Sequence, residues 1–115
     1  MKNNVIRGIT ALLTIILTAS LGRIHFGGHI ETWYNLPMQK ALKYRANEGF
    51  EIDYWERSDG MKMNGKYIIL AADKSIPMGT IIETSRGLGM VLDQHKTDAS
   101  IVDLAVTWKR GVGEE

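Results

Sequence analysis

Apolar and polar positions change period twice along the chain. Residues 8–22 (GITALLTIILTASLG) are an uncharged, largely apolar run. ETWYNLP, residues 31–37, places the strand-favouring Thr32, Trp33 and Tyr34 before Pro37. Between Pro37 and Gly49 the spacing is helical, with Met38, Leu42 and Arg45 or Ala46 on one stripe. Pro37 suits a first turn and Gly49 a left-handed C-terminal residue, so one short helix is predicted there. From Phe50 the period becomes two. FEIDYWER alternates Phe50, Ile52 and Tyr54 with Glu51, Asp53 and Trp55, the pattern of a half-buried strand.

Asn64-Gly65 is a two-residue hairpin signal, because both turn positions tolerate positive φ. KYIILAA after it reads as a fully buried strand. Ser75, Pro77 and Gly79 punctuate the next connection, TIIET is a strand, SRGLG a turn, GMVLD a strand and IVDLAVTW the last one. Five or six short, closely spaced strands with one helix predict a mainly β fold, a small barrel rather than an open sheet.

The first apolar run is too short for a membrane-spanning helix, which needs about 20 residues. Lys2 and Arg7 precede it without any acid, and Ala19, Ser20 and Gly22 close it. Residues 1–22 therefore read as a secretory signal helix, with an uncleaved signal anchor as the alternative. Either places the remaining chain outside the cytoplasm, secreted or cell-wall-associated. The Gly-rich residues 23–30 (RIHFGGHI) read as a linker, 31–110 as one domain and 111–115 as a tail.

Composition narrows the chemistry. The 115 residues carry 14 basic and 13 acidic side chains, and the two basic residues of the signal leave the rest at a net charge of −1. That balance argues against a nucleic-acid binder, which neutralises phosphates with a clear basic excess. Without cysteine there is no disulfide, thiolate metal site, thiol nucleophile or lipidated N-terminal cysteine. His25 and His29 are separated by Gly27-Gly28, which breaks any helix that would align them on a metal. No metal and no cofactor is expected. Ser75 and Ser85 lack a neighbouring base in sequence.

Three aspartates remain. Asp73 follows KYIILAA, Asp93 follows GMVL, and Asp103 interrupts the apolar run IVDLAV. On patterning alone, Asp73 and Asp93 read as turn formers and Asp103 as a solvent-facing residue, or all three belong to a site. Trp33, Tyr34, Tyr54, Trp55 and Trp108 are either core residues or platforms for sugar rings.

Five elements in order carry a resemblance: Asp73-Lys74-Ser75, Ile76-Pro77-Met78-Gly79-Thr80, Gly87-Leu88-Gly89, Asp93, and Val102-Asp103-Leu104. Over residues 50–108 the chain resembles the 3D, or three-aspartate, domain of bacterial cell-wall proteins. The resemblance implies a six-stranded double-psi β-barrel, the architecture of RlpA-like proteins and of the catalytic domain of MltA-type lytic transglycosylases. It also implies cleavage of peptidoglycan glycan strands, with Asp103 as acid/base, Asp93 as its partner and Asp73 shaping the site. Gln94, His95 and Trp55 complete the expected substrate contacts.

One departure stands out. Where the family has Thr-Gly-Gly after its second aspartate, this chain has Gln94-His95-Lys96, and no glycine occurs before Asp103. Backbone without glycine approaches a sugar less closely. A second reading follows, a non-catalytic barrel that binds glycan or a partner protein. His95 is then either a substrate contact or an exposed loop residue, and Asp98 a turn or capping residue.

Overall fold

The computed structural model describes residues 22–96 and 98–109. Both the stretch read as a signal (apart from Gly22) and the tail at 111–115 lie outside them. Within them no helix is long and apolar enough to cross a membrane.

The described chain is mainly β with one helix. Its elements are β1 (Arg23–Phe26), β2 (His29–Tyr34), α1 (Gln39–Asn47), β3 (Tyr54–Glu56), β4 (Lys62–Asn64), β5 (Tyr67–Asp73), β6 (Ile81–Thr84), β7 (Gly87–His95) and β8 (Ile101–Ala105). The stretch 23–30 is not a linker, as expected from its glycines, but a hairpin. Phe26 pairs with His29 around Gly27-Gly28, and Gly27 has φ +58. A two-residue turn of this kind requires positive φ, so the glycines close a hairpin instead of loosening the chain.

Helix α1 ends as expected, with Gly49 at φ +102. Leu42 is its buried residue, packed with Met38 just before its first turn. The strand expected over 50–57 shrinks to β3, because Phe50 and Ile52 pack against the helix side of the sheet instead of pairing. The hairpin between β4 and β5 forms one residue later than Asn64-Gly65 predicted: Asn64 ends β4 opposite Tyr67, and Gly65, φ +59, and Lys66 make the turn.

All eight strands belong to one sheet, and its pairing path is open among the described residues. Strand β5 is central. One of its edges runs parallel to β7; the other is shared by β4 along Tyr67 and Ile68 and by β8 along Leu70 and Ala71, both antiparallel. Strand β2 lies parallel to β8 on its far side, with β1 outermost.

Alternation along β5 splits the interior into two cores. Ile68, Leu70 and Ala72 join Met61, Met63, Val91, Val102, Leu104 and Val106 on one side. On the other, Ile69 joins Leu92, Ala105, Met38 and Leu42 beneath α1, with Tyr34, Phe50, Ile52 and Met90 around them.

The two flanks of the sheet are tied over the first core. Glu31 of β2 is fully buried and opposite Val102. Its carboxylate accepts the Ser85 N–H at 2.8 Å and the Ser85 hydroxyl at 2.7 Å, from the turn between β6 and β7. His29 Nε2 lies 3.2 Å from the same carboxylate. Burying a carboxylate is tolerable when donors surround it in this way.

One irregularity decides where the acids point. Leu70 of β5 pairs with Val91, but Ala71 pairs with Asp93, so Leu92 is an extra residue in β7. Such a bulge lets two successive side chains occupy the same side of the sheet. Without it, Asp93 would follow Val91 by two and point into the first core.

Candidate functional site

Sheet register builds the site. Residues directly opposite one another on neighbouring strands share a face. Ala71 is opposite Asp93 on one side and Asp103 on the other, and Asp103 is opposite Thr32. Asp93, Ala71, Asp103 and Thr32 thus form one row across β7, β5, β8 and β2. The outer strands of a three-strand row are roughly 10 Å apart, and between these two only a methyl group intervenes.

Residues two further along extend the row into a patch. His95 stands beside Asp93 on β7 and opposite Asp73 of β5. Tyr34 stands beside Thr32 on β2 and donates its hydroxyl to Asp93 Oδ2 at 3.1 Å. The other oxygen, Asp93 Oδ1, accepts the Gln94 N–H at 2.9 Å. His95 Nε2 lies 3.1 Å from the Ile101 carbonyl, which requires the hydrogen to be on that nitrogen.

Electrostatics distinguish the acids. Asp103 keeps some contact with solvent but is crowded by protein, and this desolvation pushes its carboxyl up to about 6. Nearby His95 opposes the rise and Asp93 adds to it. Burial foremost, and then the charges of Asp93 and Asp103, hold the Tyr34 phenol well above its ordinary value. Asp73 is different. It accepts the Ser75 N–H at 2.9 Å, and its bonds to Ser75 foremost, with His95 nearby, hold its carboxyl below the usual range. Asp98 caps Ser100 through both its N–H and its hydroxyl, as a turn-forming residue does.

The expected site residues therefore divide. Asp93, Asp103, His95 and Asp73 occur on one face, with Asp73 at the end of β5. Gln94 is opposite Ala72, whose side chain enters the first core, and so belongs to the other face. Trp55 is opposite Met63, which is opposite Ile68, both first-core residues. That register also puts Trp55 on the other face, 44% exposed, with its indole N–H donated to the Gly65 carbonyl at 2.7 Å. Asp93 does not end its strand as patterning predicted, because β7 continues through Gln94 and His95.

Sequence reasoning missed Thr32 as a site residue and raised Tyr34 only as a strand-favouring aromatic for the core or for a sugar ring. A hydroxyl bonded to an aspartate was not expected of it. The available signal was its two-residue spacing from Thr32, which places both hydroxyls on one face of a strand. Thr32 Oγ1 is buried and has no hydrogen-bond partner among the described residues.

Such a patch can hold one proton on a carboxyl group near neutral pH, with a second carboxylate beside it. That is the equipment of acid–base chemistry on a glycosidic or similar bond. No family model, curated protein or solved structure matches the chain.

Proposed function

We propose that this chain is an extracytoplasmic peptidoglycan-remodelling protein that cleaves glycan strands by lytic transglycosylase-like chemistry. The observation that carries this reading is the pairing of desolvated Asp103 with Asp93 across the small side chain of Ala71. Asp103, in its protonated form, donates its proton to the glycosidic oxygen as the bond from that oxygen to the anomeric carbon breaks. Ionised Asp93 stabilises the positive charge that develops on the sugar. The Asp103 carboxylate then accepts the proton of the muramic-acid 6-hydroxyl as that oxygen bonds the same carbon. A 1,6-anhydro end results, no water is consumed, and Asp103 regains its proton.

The resemblance to the 3D domain in the order of Asp73, Asp93 and Asp103 supports the same reading. So do two features of the strand arrangement, which are compatible with a six-stranded double-psi barrel. Strands β5 and β7 are parallel, as are β2 and β8, while β5 and β8 meet antiparallel. Glu31 and Ser85 join the flanks that such a barrel brings together. On this reading residues 1–22 serve export, the partner is the glycan strand, and the membrane is involved only if that segment is retained.

One observation favours a second reading, a barrel that binds cell-wall glycan or a partner without cutting. Gln94 and His95 continue β7 where the family has glycines, and the His95 ring occupies the patch beside Asp73.

Digestion of purified peptidoglycan, read by mass spectrometry, separates the two. The catalytic reading expects anhydromuropeptides from the wild type and a loss of at least about a hundredfold in Asp103→Asn, the scale of general acid–base catalysis. Absence of anhydromuropeptides, or undiminished product from Asp103→Asn, overturns it. Retention on insoluble cell wall at moderate salt would then support the binding reading.

A further inference from the structure

The two carboxyl groups of the patch are not equivalent, and the difference comes from a neighbouring strand. Both oxygens of Asp93 accept hydrogen bonds, Oδ2 from Tyr34 and Oδ1 from the Gln94 N–H. Among the described residues no hydrogen bond reaches the Asp103 carboxyl group. Thr32 is directly opposite Asp103 on β2, yet its buried hydroxyl has no partner among the described residues. Donors to a carboxylate favour its charged form, and a carboxyl group without them in a desolvated place retains its proton.

We propose that Tyr34 is a positioning residue that assigns the single proton of the pair to Asp103 by donating its hydroxyl to Asp93. The phenol is well suited to this. Its ring is packed in the core beneath α1, so the hydroxyl is held at Asp93 without free rotation of the side chain. Among the described residues, the groups that face the pair come from three strands, and α1 packs nearby. Strand β2 contributes Tyr34 and Thr32, β7 contributes His95, and β5 contributes Asp73. From α1, Arg45 is directed to the Leu92 carbonyl, Met78 Sδ and Glu48. Tyr34 gives one member of the pair a side-chain donor, at Asp93 Oδ2. Its hydroxyl, with the Gln94 N–H on Asp93 Oδ1, breaks the near symmetry of two aspartates on either side of Ala71.

This role rests on the glycan-cleaving reading for its purpose, but it has a readout of its own. The probe is the full chain with 13C-labelled aspartate carboxyl carbons, titrated by NMR as wild type and as Tyr34→Phe, which keeps the ring and removes the hydroxyl. In the wild type the higher-pH step of the pair should displace the Asp103 carbon and leave that of Asp93 nearly unmoved. In Tyr34→Phe the preference of the proton for Asp103 should fall about tenfold, so that the Asp93 carbon takes a larger share of the higher-pH step. A step that remains wholly on Asp103 in a folded Tyr34→Phe overturns the proposal. If that variant does not fold, 3-fluorotyrosine in place of tyrosine supplies a stronger donor. It should then deepen the separation of the two steps, and an unchanged titration again counts against the role.

Activity provides the second arm. If the wild type releases anhydromuropeptides, Tyr34→Phe should displace the pH profile of release. A uniform loss at every pH would mark Tyr34 as merely structural. If the wild type releases none, the glycan-cleaving reading fails, while the titration still decides the role of Tyr34.

Discussion

Leu92 and Asp93 are adjacent in the chain, yet both belong to the helix side of the sheet. Leu92 packs with Met38, Leu42 and Ile69, and Asp93 is opposite Ala71 and bonded to Tyr34. This follows from the bulge in β7, and it makes the length of that strand a determinant of the site. Deletion of Leu92 removes the extra residue, so that Asp93 follows Val91 directly and keeps its place opposite Ala71, while the core beneath α1 loses a fully buried side chain. Loss of a buried leucine side chain costs about 2–5 kcal/mol. The deletion is therefore expected to lower the midpoint of the thermal transition seen by circular dichroism. A variant that melts like the wild type would show that Leu92 is dispensable to that core.

Asp103 makes stability depend on pH in a direction opposite to that of ordinary acids. Its carboxyl is raised to about 6 by desolvation, so its protonated form stabilises the fold below the unfolded value of about 4. That contribution is lost as the pH rises through about 6. Asp59, drawn down to about 2 chiefly by its bonds to Arg57, contributes in the other sense, above about 4, and loses its contribution as the pH falls toward 2. Asp103→Asn should therefore gain on the wild type between pH 4 and 6, by up to about 3 kcal/mol. Urea melts of both proteins across that range provide the measurement. A constant difference between them would contradict the assigned burial of Asp103.

Glu31 should matter more to stability than any exposed acid. Glu31→Ala leaves the Ser85 N–H and hydroxyl and His29 without their acceptor, at an expected cost of about 2–4 kcal/mol. Ser85→Ala keeps its own N–H bonded to Glu31 and should lose only about 1 kcal/mol. Urea unfolding of the two variants tests this, and equal losses would show that the carboxylate does not act as the tie.

The two glycines of Gly87-Leu88-Gly89 have different physical reasons. Gly87 has φ +124, where an added side chain is strained. Gly89 is next to Leu70, and a methyl group there would approach Leu70 Cγ and Cδ1 to 2.6 Å. Gly89→Ala should accordingly cost about 1–3 kcal/mol through overpacking of the first core. A thermal shift below one degree would show that Leu70 yields freely.

Much of the fold was legible because its signals are local. Helix α1 between Pro37 and Gly49, a hairpin turn next to Asn64 and the buried strand before Asp73 each follow from a few neighbouring residues. The same locality misread residues 23–30. Gly27-Gly28 is a composition typical of linkers, and only pairing of β1 with β2, and of β2 with β8, reveals a turn. The strand after SRGLG was likewise expected to begin at Gly89, although Gly87 and Leu88 already belong to β7.

The candidate site was half legible. An aspartate inside an apolar strand is conspicuous at any distance from its partners, so Asp103 could be singled out from sequence, whereas Asp93 read as a turn former at a strand end and entered the site only through the resemblance. Their faces could not. Strict alternation would put Asp93 in the first core with Val91, while it puts Gln94 on the side where the site lies only if the bulge is ignored. Trp55 seemed available for sugar until pairing with Met63 assigned it to the opposite face.

By itself, then, the sequence determined the strand and helix periods, the turn glycines, the absence of thiol chemistry and the acids available for reaction. Tertiary structure alone decided the bulge at Leu92, the row through Ala71, the Tyr34 bond to Asp93 and the Glu31 tie to Ser85. Periodicity is set by the geometry of a few successive residues. Register, by contrast, is a choice among strands far apart in the chain, made by which side chains the common core accepts.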